Sequence, residues 1–281
     1  MFIKYLLPLI ILSGCGKTSS SRNLINPVIE DEEVNAGEAC SSDYRALPVY
    51  KNTKNYLSFE NFGSRGIGRC RGHAIVTQKM DMLAKFKKSE PHPCLGLDDT
   101  TCYRTLYQIV GDVLSGEIKI IGGFDSLYEF SQHPFALKIL RSKVSSISHR
   151  YSASDATLES YNHASSNLNV YFDVIRRLKI RHRPYVGIQG KHRIGNHAVI
   201  AYKMKYNRIC VRDPNIVIRE NSFENCQNYF YLRDGEVIYH QISQGPDEEL
   251  LAITLQTDED ERVQEYIEQH YKDCVSSSSP P

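Results

Sequence analysis

The chain has 281 residues, with 34 lysines and arginines against 33 aspartates and glutamates. A formal charge of +1 leaves no electrostatic footprint for a nucleic acid, so no nucleic-acid partner is expected. The length fits one large domain, or a domain with an insertion, and the absence of tryptophan excludes nothing.

Residues 1–14, "MFIKYLLPLIILSG", carry an early lysine and then an apolar run from Tyr5 to Leu12. The run is too short for a permanent bilayer-spanning helix and reads as an export signal. "LSGC" resembles the lipobox of bacterial lipoproteins, which implies cleavage before Cys15, acylation of that cysteine and a lipid anchor in a membrane. Gly16 stands where an aspartate marks inner-membrane retention, so the expected location is the cell envelope at the outer membrane, on its periplasmic or surface face. The alternative is a plain secretory signal with Cys15 an ordinary thiol. "SGCGKT" imitates a phosphate-binding loop, but the first glycine of that motif falls at Ile11, inside the signal.

Residues 15–39 are polar and unpatterned, as expected of a tether, and residues 40–274 are expected to fold. In "GSRGIGRCRGHAIV", three glycines precede Cys70, and a helical pattern follows through Ile75, Met82, Leu83 and Phe86 with lysines in its last turn. A cysteine that only packs needs no such approach. A nucleophilic one needs open backbone for the incoming carbonyl, and a helix N-terminus that favours the thiolate.

Residues 89–165 read as a mostly helical insertion without nameable chemistry, including the run "LYEFSQHPFALKILRSKVSS". "LNVYFDVIRRLKIRH" predicts a helix with Val170, Val174 and Leu178 on one face, stopped at Pro184. Strands follow in "PYVGIQG", "HAVIAYKMKY" and "RICVRD", the last two joined by a turn at Asn207. "NYFYLRDGEVIYHQI" is a hairpin around Asp234-Gly235, "LLAITL" another strand, and "DEDERVQEYIEQHYKD" a closing helix. Residues 275–281 are a disordered tail by composition. Helices early and antiparallel strands late give an α+β expectation.

There are 8 cysteines. With Cys15 lipidated, an odd number remains, which in an oxidising compartment leaves one thiol over. Local pairing joins Cys94 with Cys102 and Cys210 with Cys226, and Cys40 with Cys274 at the ends of the folded part, leaving Cys70 free. Other connectivities stay open at this level. A zinc site from His92, Cys94 and Cys102 is the weaker alternative, because no tight C-x-x-C pair supports it. No metal and no cofactor is expected.

Two features complete a site around Cys70. "GNHAVIAY" sets His197 at the start of an apolar strand, and "VRDPN" sets Asp213 at the end of the next. A hairpin between those strands brings imidazole and carboxylate together, as a base needs if its tautomer is to be fixed. His73, one helical turn beyond Cys70, is expected to face solvent or line the cleft, since side chains three apart on a helix leave no room for substrate between them.

The order of Cys70 after a glycine-rich loop at a helix start, then His197 in "HAV", then Asp213 in "DPN", resembles the papain-like cysteine peptidase superfamily, in particular bacterial papain-like lipoproteins. The resemblance implies a helical N-terminal part, with the nucleophile at a helix start, packed on a C-terminal antiparallel sheet. It implies Cys70 as nucleophile, His197 as general base and Asp213 as orienting group, with an oxyanion hole from the Cys70 N–H and an upstream side chain. The glutamine that the family places six residues before the cysteine is Ser64 here, and the nearest amide is Asn61. Arg71 replaces the family's aromatic residue after the cysteine. The implied function is an exported, lipid-anchored hydrolase of peptide or amide bonds acting through a thioester, taken to be a monomer with a peptide or protein substrate. The alternative is a degenerate module that binds a partner at the cell surface.

Overall fold

The computed structural model describes residues 56–62, 69–152, 167–179, 182–192, 196–216, 226–242, 247–255 and 261–269. The export signal, Cys15, the tether, Cys40, Ser64, Cys274 and the C-terminal tail lie outside them.

Helix α1, Cys70–Leu83, is buried from Gly72 to its end, including the polar Thr77, Gln78, Lys79 and Asp81. A helix enclosed on every side belongs to the middle of a fold, and α1 lies between a helical layer and the strands. Its expected basic last turn is not helical. The backbone becomes extended at Ala84, and strand β1, Ala84–Lys87, pairs in parallel with strand β2, Lys119–Gly122. The ladder overrides the helical spacing, and Phe86 still reaches the same apolar cluster.

The helical layer comprises α2, Asp99–Ser115, α3, Leu127–Gln132, and α4, Pro134–Ser152. Asp98 caps α2 by accepting the Thr101 N–H at 3.0 Å, and Gly116 ends it at φ 116°. The single run read between Leu127 and Ser146 is two helices, because Pro134 has no N–H to continue α3 and instead opens α4. Leu106, Val110, Phe130, Ile139, Leu140 and Val144 share one core with Ile75, Met80 and Leu83 of α1. Helix α4 approaches α1 at Gly72, where a Cβ would stand 2.3 Å from both Ser148 Oγ and the Val144 carbonyl.

The remaining strands are β3, Tyr185–Gly190, β4, Asn196–Lys205, β5, Arg208–Arg212, β6, Tyr229–Arg233, β7, Glu236–His240, and β8, Glu248–Leu255. All neighbours are antiparallel, and β3 pairs with both β4 and β8, so the six strands close into a barrel. The expected papain-like α+β arrangement, helices packed on an antiparallel sheet, is therefore corrected. Single-strand patterns are the same in a sheet and a barrel, and only the β3–β8 pairing, between segments far apart in sequence, decides closure. The Asp234-Gly235 hairpin forms as expected, with φ of 53° and 85° at its two turn residues.

Two clusters cover opposite faces of the β3–β4 ribbon. Val186, Ile188, Val199 and Ala201 join Val170, Val174 and Leu178 of α5, Asn167–Lys179. Tyr185, Ala198 and Ile200 pack on Ala74 of α1 and on Cys70. A last helix, α6, spans residues 261–269 and adds Val263 and Ile267 to the helical core.

Candidate active site

Cys70 is the first residue of α1 and the one free cysteine among the described residues. The other four cysteines among the described residues are paired: Cys94 is bonded to Cys102 and Cys210 to Cys226. The zinc alternative at His92, Cys94 and Cys102 falls with the first of these bonds, and His92 Nδ1 accepts the Cys94 N–H at 3.0 Å.

His197 is the second residue of β4 and Asp213 follows β5 directly. His197 Nε2 donates to Asp213 Oδ1 at 2.7 Å, and the ring is also hydrogen-bonded to the Cys70 sulfur. Cysteine, histidine and aspartate thus form one continuous chain of contacts. The His197 side chain is 7% exposed and that of Asp213 0%, so the pair is closed to bulk water.

The charges follow from this enclosure. Burial pushes the Cys70 thiol up, yet the His197 ring, with the N–H groups of Ala198 and Arg71 donating to the sulfur, holds it below its ordinary value. Burial opposes charge on His197, but the Asp213 carboxylate and then Cys70 raise its pKa to about 10. Burial also opposes ionisation of Asp213, and is outweighed by the His197 charge and a full set of donors. Its carboxylate accepts from His197, from Tyr239 Oη at 2.6 Å, from Gln241 Nε2 at 2.5 Å and from the Asn215 N–H at 2.8 Å. The arrangement favours a thiolate–imidazolium pair backed by the Asp213 carboxylate.

Asn61 ties the segment before Cys70 to the turn that carries the Asp213 carboxylate. Its N–H donates to the Pro214 carbonyl at 2.6 Å, its Nδ2 to Asn215 Oδ1 at 2.9 Å, and its Oδ1 accepts the Arg69 N–H at 3.0 Å. Ser64, the other oxyanion candidate, lies outside the described residues. His73 is buried and does not face solvent. Burial lowers its pKa to about 4, and its Nε2–H donates to the Phe59 carbonyl at 2.9 Å. It lines a small cavity with Phe59, Thr77, Ile200, Arg212 and Asp213, behind the carboxylate.

Sequence reasoning missed Tyr239, Gln241 and Asn215, the partners of Asp213. Gln241 and Tyr239 share the alternation of β7, but nothing in that pattern says which carboxylate they meet. Nor did it find Ser145 and Ser148 of α4, which accept from the Arg69 guanidinium and from the Gly72 N–H (the latter at 3.2 Å) at the start of α1. No family model, curated protein or solved structure matches this chain.

Proposed function

We propose that the protein is an exported, lipid-anchored cysteine hydrolase that cleaves a peptide or amide bond through a thioester acyl-enzyme. The observation that carries this reading is the unbroken Cys70–His197–Asp213 chain, with the thiol held below its ordinary pKa and the imidazole raised to about 10. The resemblance to papain-like cysteine peptidases is retained for this trio and its chemistry, not for the architecture.

In the proposed reaction the Cys70 thiolate attacks the carbonyl carbon, forming a C–S bond while the carbonyl electrons move to oxygen. The resulting oxyanion meets the Cys70 N–H and the second amide proton of Asn61, whose first proton is committed to Asn215. His197 gives its proton to the leaving nitrogen as the C–N bond breaks, leaving a thioester and a neutral imidazole. That imidazole takes a proton from water, the hydroxyl adds to the thioester, and the thiolate and imidazolium are restored with release of the acid. Asp213 stays ionised throughout and holds the ring in position. Export and anchorage through Cys15 belong to the same proposal.

The test is labelling of the mature protein with a thiolate-selective electrophile at mildly acidic pH, followed by peptide mapping. One fast adduct on Cys70, lost in His197→Ala, is expected. A slow reaction with the pH dependence of an ordinary thiol overturns the reading.

A further inference from the structure

The segment before the nucleophile and helix α4 build a cationic, aromatic stack that the trio does not use. Phe62 follows Asn61 directly, and its ring is approached by two guanidinium groups, Arg69 at 4.7 Å and Arg141 at 4.6 Å from the centroid. Arg141 also stands 6.0 Å from the ring of Phe59. Arg69 immediately precedes Cys70, and its backbone N–H is held by Asn61. The stack is therefore joined to Cys70 through the backbone of Arg69.

Two cations on one ring repel each other, and protein surfaces usually relieve such a pair with a carboxylate. Among the described residues neither Arg69 nor Arg141 makes an ion pair, and Glu60, the acidic residue nearest in sequence, pairs with neither. The hydrogen-bond acceptor of the Arg69 guanidinium is the neutral hydroxyl of Ser145, and its Nε is buried with no acceptor. Leaving a buried charged donor unmet is unfavourable, so a stack that keeps the Arg69 Nε unmet, with the exposed Arg141 guanidinium on the same ring and no carboxylate on either among the described residues, fits a ligand that brings its own negative charge.

We infer that Arg69, Phe62 and Arg141 form an anion-selecting subsite beside Cys70, and that the substrate carries a carboxylate, from an acidic side chain or a free chain terminus, close to the bond that is cut. The word substrate rests on the hydrolase reading; the anion preference of the subsite does not. The aromatic ring gives the flanking part of the substrate an apolar surface, and the planar guanidinium groups give the carboxylate paired donors.

Two measurements separate the subsite from the hydrolase. The first is the ratio of alkylation rates of Cys70 by iodoacetate, which is anionic, and by iodoacetamide, which is neutral. At low ionic strength this ratio is expected to fall about fivefold in Arg141→Gln, to stay near wild type in Arg141→Lys, and to shrink in the wild type as salt is added. Arg141 is exposed, so these variants test charge and not folding. A ratio unchanged in Arg141→Gln overturns the subsite. If both reagents react slowly, it is the hydrolase that fails, and the second measurement then decides the subsite. Calorimetric titration of Cys70→Ala with a blocked hexapeptide carrying one glutamate, and with its glutamine counterpart, is expected to show tighter binding of the glutamate peptide, lost in Cys70→Ala/Arg141→Gln. Equal affinity, or no binding of the glutamate peptide at millimolar concentration, overturns it.

Discussion

His197 and Asp213 share one face of the barrel because Tyr202 is unopposed. Lys203 pairs with Cys210 and Ala201 with Val211, so β4 carries one residue more than β5 at that point. Before this bulge Met204 faces the α5 cluster, and after it Ala201 and Val199 do, while β5 keeps its alternation through Ile209 and Val211. Continuing each pattern puts His197 and Asp213 on that common face. In a regular ladder the alternation from Met204 would have turned His197 to the opposite face from Asp213.

Asp213→Asn tests what the carboxylate contributes at that point. The amide keeps the shape but cannot supply the charge that raises His197 to about 10, and it offers one acceptor oxygen to four donors. The expected outcome is a Cys70 alkylation profile moved toward higher pH and a loss of about 2 kcal/mol in chemical denaturation. A profile that superimposes on wild type removes Asp213 from the site.

Asn61→Ala separates oxyanion stabilisation from thiolate formation. Once a cleaved peptide is in hand, turnover is expected to drop about a hundredfold, the effect of removing one oxyanion donor, while alkylation of Cys70 keeps its acidic pH range. If the alkylation profile shifts instead, Asn61 serves to position the site, consistent with its links to Pro214, Asn215 and Arg69.

Much of the site was legible because its signals are local. The short loops bracketed by Cys94 with Cys102 and by Cys210 with Cys226 point to the two disulfides that leave Cys70 free among the described residues, and the hairpin whose turn lies between them sets His197 and Asp213 at the same end of adjacent strands. What could not be read depends on distant segments. Barrel closure requires β3 to meet β8, and the end of α1 at Leu83 depends on a ladder with Lys119–Gly122. The bulge at Tyr202 leaves an ordinary strand sequence behind it. The role of α4 was hidden because its serines and Arg141 look like a solvated helix face until Gly72 brings that helix against α1.

That close approach makes opposite predictions for two glycines in helices. Gly72→Ala gains helix propensity but sets a methyl group 2.3 Å from Ser148 Oγ and the Val144 carbonyl, so α1 and α4 must move apart. A loss of about 2 kcal/mol is expected. Gly111→Ala in α2 meets nothing within 4 Å and is expected to gain about 0.5–1 kcal/mol. Equal behaviour of the two variants in urea denaturation would remove the α1–α4 contact as a constraint.

His73 and Asp213 give the fold two separate acid-sensitive windows. His73 is held at about 4, below its ordinary 6.5, so between those values the unfolded chain binds the extra proton and stability falls as the pH drops. Over that interval the loss is about 3 kcal/mol. Asp213 is held below 3.8, so its contribution is complete above that value and is lost only as the pH falls further, through the folded pKa. Urea titrations of wild type and His73→Gln at closely spaced pH values are expected to diverge between pH 6.5 and 4, with the variant flatter, and to run parallel below. His73→Gln is also expected to keep the acidic alkylation profile of Cys70, because the ring bonds Phe59 and Thr77 and not the sulfur. Loss of that profile would make His73 part of the proton path after all.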